Sequence, residues 1–170
     1  LVGPDARRFA NGMFTNNVRD LPVGRANAHA MVDERARIQG LLDLWCVAPD
    51  SFLVVLDGVS ADAFIARYEK FIIFDDVELT DVSEDHAVAT VQGPEAATIL
   101  LRAGLPAPGL EGEHVEHEGI RVLRRARSPG GGFDLVIPRA RYEDVWASIA
   151  APDLGWTAQE VARIEAGHAR

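Results

Sequence analysis

HAMVDERARIQG, His29 to Gly40, is the densest polar segment of the chain, and it lies between apolar runs. Its acids, Asp33 and Glu34, adjoin Arg35 and Arg37. An aspartate in such a loop can accept hydrogen bonds from a polar ligand head, and an arginine can meet a ligand carboxylate through paired N–H bonds. The same four charges also suit a solvated hairpin loop. A second acid of interest, Glu165, lies in TAQEVARIEAGHAR. Thr157 is expected to cap a helix there, with Glu160 completing a capping box. Val161 and Ile164 would face inward together, and Glu165 would lie on or beside their stripe. Gly167 would stop the helix. A carboxylate so placed is costly unless hydrogen-bonded. It is either a surface or arginine-paired residue at the stripe's margin, or one held in a pocket to grip ligand donors.

Other chemistry-bearing motifs are weaker. HVEH places His114 and His117 three apart, a metal spacing on a helix. Here it enters an expected strand, where positions three apart face opposite ways. Gly130–Gly132 has no lysine or helix start after it and reads as a hairpin turn rather than a phosphate loop. No Ser/His/Asp or Cys/His order stands out.

The elements that must position these residues fit one compact domain, or two small halves sharing a core, in 170 residues. A hydrophobic content of 48% is ordinary for a globular protein. No apolar run is long enough to span a membrane, and no signal peptide opens the chain. The first residue is Leu1, so the true start is expected upstream. The single cysteine, Cys46, excludes an internal disulfide and reads as a core residue. A cytoplasmic location and a monomer are expected. The net charge of −9 argues against a nucleic-acid surface.

The chain echoes itself. GPDARRFANGMF and GPEAATILLRAG share Gly-Pro-acid-Ala, with Pro at the expected first helical position and apolar residues at helical spacing. SFLVVLDGVSADAFIARY and GFDLVIPRARYEDVWASI each run from strand to amphipathic helix when Phe52 is matched to Phe133. Phe64, Tyr68 and Phe71 share one helix face; Val145 and Ile149 share the other, with Trp146 beside them. The offsets differ, 90 and 81 residues, as a divergent duplication or a chance likeness would leave them. Strands are expected at Leu41 to Val47, Ser51 to Leu56, Phe71 to Leu79, His86 to Val91, Val115 to Arg124 and Phe133 to Ile137. Hairpins alternating with single helices give an α+β fold with mixed or antiparallel sheets. GLPAPGLEGE reads as a linker, 104–112, between halves at about 1–103 and 113–170.

GPDARRFANGMFTNNV, HAMVDERARIQGLLDLWCV, DSFLVVLD, VATVQGPEAATIL and VARIEAG occur in order over nearly the whole chain. In that order and spacing the chain resembles the folate-binding domain shared by glycine-cleavage T-proteins and the YgfZ-type proteins of iron–sulfur cluster maintenance. The resemblance implies two interleaved ββα-type halves around a central folate pocket, with tetrahydrofolate or a one-carbon derivative as cofactor. It gives Glu165 the pterin ring, whose adjacent N–H donors a carboxylate can accept in parallel. It places Met31 and Asp33 in the loop lining the pocket, and Asp57 where T-proteins often carry asparagine. Arg35 and Arg37 could meet the anionic glutamyl tail. A further segment and a barrel domain are expected beyond the present chain.

T-proteins carry an aspartate in a GGVIDD-like pattern after this loop. An ungapped match puts Gly40 and Leu41 there, neither of which moves a proton. Asp43 would point to the other face from Gly40. This departure favours a YgfZ-type accessory protein supporting iron–sulfur enzymes or their assembly machinery. The alternatives are a folate-dependent aminomethyltransferase and a non-catalytic module that has lost folate.

Overall fold

The computed structural model describes residues 1–167. By their internal contacts the described residues divide into two compact units, 1–82 and 83–167.

The first unit carries α1 (Ala6–Met13), β1 (Ala26–Val32), β2 (Ile38–Ala48), β3 (Ser51–Asp57) and α2 (Ala61–Tyr68). Its sheet runs β1-β2-β3, antiparallel throughout. Strand alternation sends Leu42, Leu44 and Cys46 to one face, where they meet Phe9 of α1 and Phe64 and Tyr68 of α2. Each such aromatic contributes about 2 kcal/mol by burial. Cys46 is buried, as its apolar surroundings suggest. Asp43 and Trp45 alternate to the opposite face and are buried there too. Ser60 caps α2, its Oγ accepting from the Ala63 N–H at 3.3 Å. The long connection from α1 to β1 is pinned by side chains. Arg7 donates to the carbonyls of Val18 and Leu21, both at 2.8 Å, and to Pro49 at 3.1 Å. Asn11 Oδ1 accepts from the Val18 and Arg19 N–H groups.

The strand expected at Phe71 to Leu79 does not form. A 3-10 turn, Glu69–Phe71, follows α2, and the only pairing beyond it is one bridge from Glu78 to Val2. Val2 stands between Glu78 and the start of β3, where Leu1 and Val2 take the outer edge at Ser51 and Phe52, and Thr15 to Asn17 cover the outer edge of β1. Phe71 therefore leaves the Phe64–Tyr68 face, and Phe74 is 94% exposed.

The second unit carries β4 (His86–Gln92), α3 (Ala96–Arg102), β5 (His114–His117), β6 (Ile120–Arg124), β7 (Gly132–Pro138), α4 (Tyr142–Ile149) and α5 (Trp156–Glu165). Its antiparallel sheet runs β4-β7-β6-β5. Phe133, Leu135 and Ile137 face α3 and α4 through Leu100, Val145 and Ile149. The single strand expected over 115–124 is a hairpin instead. Glu118 and Gly119 take positive φ, 50° and 80°, and reverse the chain as tight hairpin turns require. Residues 104–112, expected to link the halves, lie inside this unit between α3 and β5. A polar network crosses its sheet. Gln92 accepts from the Arg127 N–H at 2.8 Å, and the Arg127 guanidinium grips buried Asp134 at 2.7–3.0 Å. Gly132 makes room for it, since a Cβ there would come within 2.1 Å of the Gln92 amide.

The two sequence echoes have counterparts within each unit. Gly3 and Gly93 both take positive φ, and each carbonyl accepts from the N–H three residues on. The helices begin at Ala6 and Ala96, two residues later than the prolines suggest. Phe52 and Phe133 are both buried, each under an arginine: Arg7 at 5.2 Å and Arg124 at 4.8 Å from the ring centroid.

α5 departs from expectation. Its N-cap is Gly155, and Trp156 is already helical, so the Thr157 hydroxyl comes too late to cap. Glu160 pairs with Arg163 at 2.9 Å instead of closing a capping box. Val161 and Ile164, expected inward, are 51% and 64% exposed, while Gln159, Ala162 and Arg163 are the less exposed side. Gly167, with φ of 74°, ends the helix as its type suggests. Among the described residues no helix is long and apolar enough to cross a membrane.

Candidate functional site

The β1–β2 hairpin turns through Asp33 to Arg37, and Asp33 organises it. Its Oδ1 accepts from the backbone N–H groups of Arg35 and Arg37 at 2.9 and 3.0 Å. Its Oδ2 accepts from Arg37 Nε at 2.7 Å, with Nη2 at 2.6 Å. These bonds, the Arg37 side chain first and its N–H next, hold the Asp33 carboxyl below the usual carboxylate range. Ala36 closes the turn at φ 57°, its N–H reaching the Asp33 carbonyl at 2.9 Å. Asp33 and Arg37 are thus bound to each other, whereas the exposed Arg35 side chain has no hydrogen bond among the described residues. Arg67 of α2, which the sequence did not single out, donates to the Val32 carbonyl and braces the hairpin from below.

The first unit brings most of the sequence-nominated residues to one end of its sheet. Met31 pairs with Gly40, and Leu41 pairs with Asp57. Met31 is only 2% exposed and packs in the core, so it supports the hairpin rather than offering surface. Gly40 is closed in: a Cβ there would lie 2.3 Å from Val59 Cγ2. Asp43, three residues on in β2, faces the other way from Gly40 and is buried. Val59 could not have been found from spacing, because it reaches Gly40 only through the β3–α2 turn.

Glu165 belongs to the second unit. It is the last residue of α5, exposed, with no hydrogen-bond partner among the described residues. The C-terminal end of a helix is the negative end of its dipole and disfavours an anion. Glu165 is therefore a carboxylate with free acceptors in a place that offers it no compensation. His114 is buried and His117 exposed, as opposite strand faces require, and no metal-holding cluster occurs among the described residues. Gly130 and Gly131 form the β6–β7 turn with φ of 102° and 85°.

Comparison with known proteins covers the whole chain. The family model for the GCVT N-terminal domain matches residues 1–170. An aminomethyltransferase of Rubrobacter xylanophilus is 30% identical over 97% of this chain and 46% of its own length. One of Herpetosiphon aurantiacus is 26% identical over 98% of this chain and 49% of its own. The crystal structure of the glycine cleavage system aminomethyltransferase T from Bartonella henselae shares the fold, with a TM-score of 0.90 at 24% identity over 99% of this chain and 48% of that one. The chain thus spans about half the length of the curated relatives it matches. A match from the first residue to the last, on an α+β fold with antiparallel sheets, places this chain in the family of GCVT N-terminal domains.

Proposed function

We propose that this domain binds a reduced folate, tetrahydrofolate or a one-carbon derivative, in the manner of the aminomethyltransferases it is similar to. The observation that carries the reading is Glu165, an exposed carboxylate with free acceptors at the negative end of α5. Such a group gains most from two parallel N–H donors of the kind a pterin ring presents. On this reading Asp33 acts by shaping the hairpin, and Arg35 is the cation left for an anionic glutamyl tail. Arg37 contributes through Asp33, and Asp57 offers a carboxylate beside Leu41 at the same end of the sheet.

Two roles follow for the bound folate. The relatives' names favour aminomethyl transfer. Gly40, closed by Val59, favours an accessory role of the YgfZ type in iron–sulfur maintenance, because the resemblance places the transfer acid at or beside that position.

A thermal-shift titration with a reduced folate tests the binding reading. At about 100 times its dissociation constant the ligand adds roughly 2.7 kcal/mol to the folded state. Glu165→Gln should abolish the rise, and Arg35→Ala should weaken binding of polyglutamylated more than monoglutamylated folate. A parent protein with no saturable rise would reject the reading.

A further inference from the structure

β1 is an edge strand, and its outer edge is covered not by another strand but by a strap, Thr15 to Asn17. The Thr15 Oγ accepts from the Ala30 N–H at 2.9 Å, and Asn16 Nδ2 donates to the Ala28 carbonyl at 3.2 Å. Asn27 Nδ2 donates to the Asn17 carbonyl at 2.8 Å. At the centre lies His29, 3% exposed, with the Phe14 ring against it at 5.6 Å.

The tautomer of His29 follows from its partners. Its Nδ1 lies 3.0 Å from the Asn16 backbone nitrogen, which can only donate, so Nδ1 carries no proton. The proton is on Nε2 and is accepted by Asn27 Oδ1 at 2.7 Å. The Asn27 amide orientation agrees, since its nitrogen is needed for the Asn17 carbonyl. An imidazolium cannot keep this arrangement: a proton on Nδ1 would point at the Asn16 N–H.

The strap and the rest of β1 hold no ionisable side chain to pair with an imidazolium; Asp20, just beyond the strap, accepts from Asn17 Nδ2 at 2.9 Å. On β2, His29 pairs with Leu42, while Asp43 points to the opposite face. On α2, the Tyr68 ring packs against Phe14 at 5.2 Å, and Arg67 serves the Val32 carbonyl. On α1, Arg7 serves the Val18 and Leu21 carbonyls.

We infer that His29 is an acid-sensitive latch: its neutral ring clamps the Thr15–Asn17 strap to the edge of β1, and proton uptake at Nδ1 releases the strap and bares the outward N–H and C=O groups of Ala30 and Ala28. Burial pushes the latched ring down to about 4 from an ordinary 6.5. Against a limit of about 300-fold at lower pH, a ring that regains its ordinary value on release raises the released-to-latched ratio by about 60-fold between pH 7 and 4.5. An unpaired strand edge is a template for added strands, so release also invites association through β1.

Amide exchange by NMR between pH 7 and 4.5, corrected for intrinsic rates, tests the latch. The Asn16 and Ala30 amides should lose protection together, approaching that fold-change, while Leu44 and Cys46 in the core of β2 stay protected. In His29→Gln, which cannot take up a proton, this pH dependence should vanish. Loss at Leu44 and Cys46 in step with Asn16, or an unchanged pH slope in His29→Gln, would overturn the inference. Should His29→Gln fail to fold, Thr15→Val provides the check. It weakens the strap, so Asn16 release must move to higher pH; release at an unchanged pH sinks the latch.

Discussion

Each unit buries one histidine and one aspartate, His29 with Asp43 and His114 with Asp134, and the sharpest contrast lies between His29 and Asp134. Each lays two helices on one face of an antiparallel sheet, and each runs from a strand beginning near a buried phenylalanine into an amphipathic helix. The first unit buries a neutral histidine, hydrogen-bonded on both sides but without a counter-charge. The second buries Asp134 and satisfies it with a bidentate arginine. A neutral group is cheap to bury until the pH changes, whereas a paired charge is costly to lose on either side. The shared scaffold therefore does not dictate a shared response to perturbation.

The largest effect should come from breaking the pair. Asp134→Ala takes from the partly exposed Arg127 its buried carboxylate and should cost about 3 kcal/mol in urea unfolding. Replacing both members, Arg127→Met with Asp134→Leu, should recover most of that loss; a double variant as unstable as the single one would show that the network has a role beyond pairing. Next comes acid. His29 has its folded value depressed to about 4, against 6.5 unfolded. Above pH 6.5 both states are neutral and it contributes nothing. As pH falls below 6.5 the unfolded chain takes up a proton that the folded ring refuses, so stability drops by up to about 3 kcal/mol near pH 4. Unfolding curves at pH 7 and 4.5 should show this loss in the parent and not in His29→Gln.

The paired arginines offer a smaller contrast. Arg7 donates to several carbonyls besides covering Phe52, so Arg7→Ala should cost about 2 kcal/mol. Arg124 lies over Phe133, and Arg124→Ala should cost about 1 kcal/mol or less. Equal losses would mean that ring stacking, not loop anchoring, dominates in both units. The smallest effects should be gains. Ala36 in the hairpin and Ala150 after α4 sit in the left-handed region, at φ of 57° and 46°. Glycine at either should stabilise by about 1 kcal/mol, read as a higher melting temperature.

Much of this was legible in the sequence where local signals agreed with their surroundings. Apolar spacing located α1, α2, α3 and α4, and alternation located β3, β4 and β7 to within a residue or two. The Asp33 loop stood out by charge density. What failed depended on neighbours. Phe71 to Leu79 has strand-like composition, but Val2 stands between its Glu78 and β3, and side chains of Thr15 and Asn16 cover the edge of β1. Val161 and Ile164 share a stripe, yet it is the Gln159, Ala162 and Arg163 side of α5 that is the less exposed. The Glu118–Gly119 turn had a readable glycine after the polar HVEHE, but the expected strand ran straight through it. Asp33 was nominated as a ligand group, and only the three-dimensional arrangement reveals how fully the hairpin uses its oxygens. His29 gave no signal at all, since a strap that bonds through side chains has no periodicity.

The contact between Gly40 and Val59 sets an order on sequence change. With Val59 in place, any side chain at position 40 meets its methyl group. A smaller residue at 59 would leave Gly40 undisturbed and open the space. A lineage gaining an acid at 40 therefore has the smoother route by altering 59 first, because the reverse order forces the Val59 methyl to shift.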